Sequence, residues 1–353
     1  MNNDSYSDLN VYGDISLDEL TNILSTTIAY DDTNKVILLL AMLTTYSKSD
    51  QLNVCLLGPS STGKTHLAQE VAKYFPDDDV LVLSGATPTA FRYNLTSVDD
   101  EGVGHVEFTR KIIIFAEMPD SKLLATLRSI LSHDRDSSTF LSTAGGSNGN
   151  RKAQIIKYDG FPAVVFCSAN MRINEQEATR FIMLSPESTD DKIKAATRMS
   201  AFMNSDPTKY KEQVGSSSGR KKLMARIKTI RDMNIDTVVV RNHEDIFARY
   251  SSLTGKITPR DSRDVKYLIS LIKAVTMLNA QNRIDKNSGD VVASASDIDA
   301  GFELWRRIMR SQGSGLVPVV VSFYETCFLP AYESRRHPSS DAISIDDLIE
   351  YCD

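Results

Sequence analysis

The sequence predicts an α/β protein, with a parallel sheet covered by helices on both faces and a mostly helical second half. Three observations predict it. Between residues 49 and 187, short β-rich apolar runs alternate with amphipathic stretches, the pattern of strand–helix units that cross over a parallel sheet. A glycine-rich loop, Gly58-Pro-Ser-Ser-Thr-Gly63-Lys64-Thr65, joins the first of those runs to the helix after it. From Ser188 to about Arg310 the strand signal almost disappears and helical spacing takes over. At roughly 150 residues per domain, a chain of 353 residues makes two or three compact units.

Residues 1–15 carry Asp4, Asp8 and Asp14 and read as a loose polar tail. Ser16-Leu-Asp-Glu19 is a capping box, and Leu17, Leu20, Leu24 and Ile28 then mark one helical face. A second helix follows Asp31-Asp32 and carries Val36–Met42 into the interior, which completes an N-terminal unit over 1–48. The strands expected next are Leu52–Leu57, Val80–Leu83, Ile112–Phe115 and Val164–Cys167, with a strand-like run at Phe181–Leu184. Helix Ser121–His133 puts Leu123, Leu124, Leu127, Ile130 and Leu131 on one face. Ser138–Thr143 and Gln154–Tyr158 read as a hairpin closed by a glycine-rich, positively tipped loop, Ala144–Lys152.

In the second half only Thr237–Val240 has strand character, and Asp264–Arg283 is the best helix. Gly215–Gly219 reads as a flexible surface loop, with Arg220-Lys221-Lys222 as its solvated continuation. After a further break at Gln312–Gly315, one helix-like run reaches Tyr332. Ser344 and Asp347 look like the capped start of another helix, so the unit over 311–353 looks incomplete.

Composition sets the outer limits. Hydrophobic residues make up 41% and charged residues 24%, enough of each to bury a core and stay dissolved. The best apolar window, Val36–Leu43, is far shorter than the roughly 18 residues of a spanning helix, so no membrane partner is expected. The segment MNNDSYSDLN lacks a basic stretch followed by an apolar one, and four scattered cysteines form neither a disulfide framework nor a zinc pattern. A reducing cytoplasm is therefore the expected location. The net charge of −6 argues against a surface coated with nucleic acid and leaves room for a small basic contact.

The chemistry centres on the glycine-rich loop, a full match to GxxxxGK[ST] with an apolar strand before it and an amphipathic helix after it. Gly58, Pro59, Ser60, Ser61, Thr62 and Gly63 let the backbone curl so that its N–H groups and the helix N-terminus point at phosphates. Lys64 supplies a point charge to the β- and γ-phosphates, and the Thr65 hydroxyl a ligand for Mg²⁺. ATP and Mg²⁺ are the expected cofactors. A second strand, Lys111-Ile-Ile-Ile-Phe115, ends in Ala116-Glu117, where such sites usually read Asp-Glu. Glu117 is the residue expected to polarise the attacking water. A one-residue shift would instead make Glu117 the metal-side carboxylate and leave no base. The missing aspartate at 116 predicts weak metal affinity or slow turnover. Further on, Ser168-Ala169-Asn170 ends a strand with a polar side chain suited to the γ-phosphate or the lytic water, and a lone Arg180 precedes Phe181–Leu184.

This order of features resembles the AAA+ ATPases, and within them the minichromosome maintenance (MCM) helicases and related replicative helicases of phages and mobile genetic elements. The loop, the hairpin ahead of the Asn170 strand, Thr179-Arg180-Phe181, and Ile257-Thr-Pro-Arg260-Asp-Ser-Arg263-Asp-Val-Lys-Tyr-Leu-Ile269 carry the likeness, over roughly residues 15–310. The resemblance implies an AAA+ core over 49–187, a helical lid over 188–310 and a partial winged-helix-like segment over 311–353. It implies Asn170 as sensor 1, Arg180 as the arginine finger presented to a neighbouring subunit, and Arg263 as sensor 2, although Lys266 stands where the family has glutamate. Arg151 and Lys152 would sit at the tip of a hairpin that faces a central pore and grips DNA. The implied activity is that of an ATP-dependent DNA helicase or translocase of a replication module, built as a homo-oligomeric ring, a hexamer, with a replication partner supplying DNA recognition. A second reading is a nucleotide-switched assembly protein on DNA, a helicase loader or recombinase regulator, which the Ala116 departure favours. Simpler roles compete at single residues: a strand-end cap for Asn170, a surface ion pair for Arg180, a solvated turn for Arg151 and Lys152.

Overall fold

A computed structural model of the chain describes residues 13–48, 51–87, 96–131, 137–145, 151–169, 180–314, 316, 318–334, 343, 345 and 348. The main sheet has five parallel strands: β1 (Val54–Leu57), β2 (Val80–Leu83), β5 (Ile112–Phe115), β8 (Ala163–Ser168) and β9 (Ile182–Leu184). Their order is β2-β5-β8-β1-β9. A second sheet, ordered β3-β4-β7-β6, contains β3 (Ser97–Val98), β4 (Gly104–Glu107), β6 (Ser137–Gly145) and β7 (Arg151–Asp159). The α/β class with a helix-flanked parallel sheet is the expected one.

Strand alternation sorts the main-sheet side chains onto two faces. Val54, Leu56, Ile112, Ile114, Val165 and Cys167 share one apolar cluster with helices α2 (Asp32–Leu43) and α3 (Lys64–Ala72). Cys55, Leu57, Ile113, Phe115, Val164 and Phe166 share the other with α4 (Ser121–Leu131) and with Val106, Ile156 and Tyr158 of the second sheet. On that face the Phe115 and Phe166 rings stack with centroids 5.0 Å apart, and Phe181 meets Phe166 edge-on.

α2 is buried at every position from Asn34 to Leu43, as expected of a helix enclosed on all sides. It packs against α1 (Leu17–Leu24), α3, β8, α9 (Asp261–Leu278) and α10 (Ala295–Ser314). One helix therefore lies between the sheet and the helical second half. Its one cation, Lys35, is fully buried and donates to Asp32 Oδ1 at 2.6 Å, Ser25 Oγ at 2.7 Å and the Tyr30 carbonyl at 3.1 Å. Arg226, on α7 (Ser218–Asp232), is equally buried and donates to the Leu278 carbonyl at 3.1 Å, to Asn279 Oδ1 at 2.8 Å and to the Gly13 carbonyl. Lys35 is thus paired with a carboxylate, whereas Arg226 is held by neutral oxygen acceptors. Residues 13–48 and the helical half consequently share one continuous core.

Half of the expected capping box is present, with Glu19 N–H donating to Ser16 Oγ at 3.1 Å while the Glu19 carboxylate pairs with Lys222, and Leu20, Leu24 and Ile28 are buried. Several boundaries differ from expectation for identifiable reasons. Residues 13–15 are not a loose tail: Ile15 is buried and Asp14 pairs with Arg283 at 2.7 Å. The Gly215–Gly219 loop is absent, because α6 (Pro207–Ser216) and α7 are separated only by Ser217, whose hydroxyl caps α7. Gly219 faces Ile23 of α1, and the Arg220 guanidinium lies over the Tyr74 ring at 4.4 Å, so neither is solvated loop. Lys222 reaches Glu19 at 3.3 Å. The best helix starts earlier than expected because Asp261 accepts from Thr258 N–H at 2.7 Å, and it ends at Leu278. The Gln312 break is also absent: α10 runs through to Ser314, across position 310, and Gln312 is buried and donates to the Met183 carbonyl at 3.0 Å.

Thr237–Val240 contributes β10 (Val238–Val239), whose parallel partner β11 (Val291–Val292) was not expected. The run to Tyr332 is helical, through α11 (Pro318–Phe323), a π-helical turn at Tyr324–Phe328, and α12 (Leu329–Ser334). Among the described residues, no helix is long and apolar enough to cross a membrane.

Two predictions follow from packing and charge. Gly301 of α10 abuts α9, where an added Cβ would lie 2.3 Å from Ile272 Cγ1 and 3.0 Å from its Cα. Gly301→Ala is expected to cost about 1–2 kcal/mol, overpacking outweighing the gain in helix propensity, as read from thermal unfolding. In the second sheet, His105 of β4 is held between Asp159 at 2.5 Å and Asp99 at 3.2 Å. The Asp159 and then the Asp99 hydrogen bond raise its pKa from the ordinary value. A raised histidine pKa stabilises fully below its unfolded value of about 6.5, and the contribution is lost as pH climbs through the folded value. Wild type should therefore outlast His105→Gln by the widest margin near pH 6, with the gap closing at alkaline pH.

Candidate functional site

The loop after β1 sits at the C-terminal edge of the main sheet, where open α/β sheets place ligands. Gly58 N–H donates to the Ser168 carbonyl at 3.3 Å, which ties the start of the loop to the end of β8. Ser61 and Gly63 have positive φ, 66° and 87°, and Gly63 is the N-cap of α3. The chain thus curls back on itself before the helix begins. The first N–H groups of α3 have no intrahelical acceptor and, with the helix dipole, make an anion-binding end. Lys64 is buried, and its ammonium donates to the carbonyls of Gly58 at 2.8 Å and Pro59 at 2.5 Å. Desolvation pushes its pKa down from the usual lysine value. Thr65 Oγ1 reaches the Ala116 carbonyl, a long contact at 3.5 Å.

β8 lies between β1 and β5, so its C-terminal end comes up between the loop and Ala116-Glu117. Glu117 is exposed, two positions past Phe115. Ala116 follows the last residue of β5 and is half-buried, and it is its main-chain carbonyl that faces Thr65 Oγ1. Asn170 lies outside the described residues, two positions beyond the end of β8.

A cavity of about 590 Å³ opens beside the loop, within the usual range for small-molecule sites. Ser60–Gly63 and His66 form one wall, Thr27–Ala29 another, and α5 (Asp190–Ser205) with Tyr210 of α6 the third. The α5 wall presents Ile193, Ala196, Met199 and Met203, a flexible apolar surface. At the cavity's inner corner Asp31 accepts from Asn34 Nδ2 at 3.0 Å and from Glu187 N–H at 2.8 Å, and it pairs with the buried Lys192 of α5. Burial and then the neighbouring Asp31 raise the Glu187 pKa. Thr27–Ala29, Asp31 and Lys192 line the cavity and carry no motif that sequence reasoning singled out. Asp31 was legible only as the start of a helix, and no motif marks Lys192.

Arg180 is half-buried, and Arg263 is exposed in the first turn of α9. The structure brings them into one neighbourhood around the Tyr267 phenol. Burial and Asp264 raise the pKa of that phenol, while Arg263, Arg260 and Arg180 act to lower it. Arg260 is tied to Asp264 at 3.4 Å. Neither Arg180 nor Arg263 lines the cavity beside the loop. Arg151 and Lys152 are the first residues of β7, in register with Gly145 and Ala144 at the distal end of the hairpin. The strands therefore run further than expected, and these two residues belong to the ladder that flanks residues 146–150, which lie outside the described set.

The chain matches no protein-family model, and no curated protein matches it.

Asp31→Ala should cost about 3–5 kcal/mol in urea denaturation, because it leaves Lys192 buried without its counter-charge. Adding Lys192→Met should recover much of that loss.

Proposed function

We propose that this chain is an AAA+ ATPase that works as a DNA helicase or translocase motor of a replication module. The observation that carries the reading is the set of parts at one sheet edge: the GxxxxGKT loop leading into α3, with β8 rising between it and the Ala116-Glu117 strand end. The hairpin β6–β7 immediately before β8 supports the MCM-like branch.

The residues suit Mg-ATP. The loop N–H groups and Lys64 would hold the β- and γ-phosphates, Thr65 the metal, and the cavity between Thr27–Ala29 and α5 would take the base and ribose. Bound Mg²⁺ would screen the phosphate charge. Glu117 would orient the water, and Asn170 would serve as sensor 1. Arg180 lies off the cavity, which suits service to the nucleotide of a neighbouring subunit in a ring, a hexamer, and Arg263 would act as sensor 2. Arg151 and Lys152 on the hairpin would track the DNA backbone in a sequence-independent, salt-sensitive way.

Ala116 favours a second reading, a nucleotide-switched loader or assembly protein on DNA in which binding rather than turnover is the signal.

The test is ATP turnover with and without single-stranded DNA, run alongside strand displacement on a forked duplex. DNA-stimulated turnover and unwinding are expected. Lys64→Ala and Arg180→Ala should each lower turnover by about 10³-fold or more. ATP-dependent assembly on DNA with no unwinding would select the switch.

A further inference from the structure

The nucleotide reading above leaves one cavity residue without a task. Glu187 lines the cavity beside the loop. Its main-chain N–H donates to Asp31 Oδ1 at 2.8 Å, but its carboxylate takes part in no hydrogen bond or ion pair among the described residues. The buried Lys192 pairs with Asp31 instead. Burial and then the neighbouring Asp31 disfavour the charge of Glu187, so the fold itself gains nothing from an acid at this position.

Three contacts fix where that carboxylate starts. Asn34 Nδ2 donates to the Ser185 carbonyl at 2.7 Å, and Asp31 takes the Glu187 N–H. The buried Pro186 between them lies against the head of the loop, its Cδ 3.8 Å from where a Cβ on Gly58 would stand. Glu187 therefore leaves the main chain between the phosphate-type loop on one side and the Thr27–Ala29 wall, which leads into Asp31, on the other. With phosphates on the loop and a base against Thr27–Ala29 and α5, the sugar has to lie between them. A ribose offers two adjacent hydroxyl donors, and a carboxylate with both oxygens free is the matching acceptor. Dinucleotide-binding folds read ribose with an acidic side chain in the same way.

Resting on the nucleotide reading, we propose that the Glu187 carboxylate accepts the ribose hydroxyls of the bound nucleotide and makes the site selective for ribonucleoside triphosphates. Glu187 touches the sugar and none of the reacting atoms, so it sets specificity and leaves the chemistry to others. It is exposed at the cavity mouth, where water competes for the same oxygens. The discrimination is therefore roughly 10-fold, at the low end for a hydrogen bond to a charged group, and far below that of a buried polar pocket.

The experiment is competition binding to the full chain in MgCl₂, with an ATP analogue labelled on its γ-phosphate displaced by ATP, by 2′,3′-dideoxy-ATP or by tripolyphosphate. Wild type should bind ATP roughly 10-fold more tightly than the dideoxy nucleotide. Glu187→Ala should weaken ATP to the dideoxy level while dideoxy-ATP and tripolyphosphate bind no more weakly than before. Glu187→Gln keeps one carbonyl acceptor and should retain part of the preference, and it decides the matter if Glu187→Ala does not fold. Equal affinities of wild type for ATP and dideoxy-ATP would overturn the proposal. So would a full wild-type preference in folded Glu187→Ala, or in Glu187→Gln where that is the deciding variant. Tighter ATP binding by Glu187→Ala would do the same, because the acid would then only repel phosphate. A wild-type chain that binds neither ATP nor tripolyphosphate, or Lys64→Ala that binds both as tightly as wild type, would remove the nucleotide reading itself, a different failure with a different signature.

Discussion

The enclosure of α2 is the constraint on which the rest of this architecture depends. A helix buried from Asn34 to Leu43 has no face left for water, so the sheet on one side and α9 and α10 on the other must both be in place before it is stable. Burying a Leu or Ile side chain contributes about 1.5–3 kcal/mol, and this helix buries a run of them between two layers. It also fixes the site. Asp31 and Asn34, at the start of α2, hold the segment that enters α5, and α5 is one wall of the cavity beside the phosphate-type loop. The helical half is therefore joined to the sheet through a shared core and a buried ion pair, and a rigid linkage runs from the floor of the cavity to the far helices.

The parts legible in the sequence are those whose physics is local. A strand, a glycine turn and a helix start within twelve residues specify the loop from Val54 to Thr65, and the structure has that geometry. Ile112–Phe115 and Ala163–Ser168 were legible because strands buried on both faces are continuous apolar runs. What could not be read depends on distant partners. Gly215–Gly219 has the composition of a loop, yet Gly219 sits against Ile23, nearly two hundred positions earlier in the chain. Val291–Val292 is too short to signal a strand and exists because Val238–Val239 is beside it. The neighbourhood shared by Arg180 and Arg263 at Tyr267 is likewise a product of tertiary packing.

The substitution of Ala at position 116 has a structural counterpart. The strand end that presents it still meets Thr65, but through the main chain. A backbone carbonyl cannot be titrated or mutated away. The geometry of the hydroxyl is thereby separated from the charge of the site, two properties that an acidic side chain would bind together.

The hairpin of the second sheet has a mechanical consequence. Strand β7 has nine residues and leads directly into β8, the strand that ends between the loop and Glu117. At about 3.3 Å per residue it is a lever some 30 Å long, so a tilt of about 10° at its base sweeps the far end through about 5 Å. Its root is clamped by the ladders to β4 and β6 and by the aromatic packing of Tyr158 on Phe108. Small rotations at the sheet edge would thus emerge, amplified and in a fixed direction, at the end that carries Arg151 and Lys152.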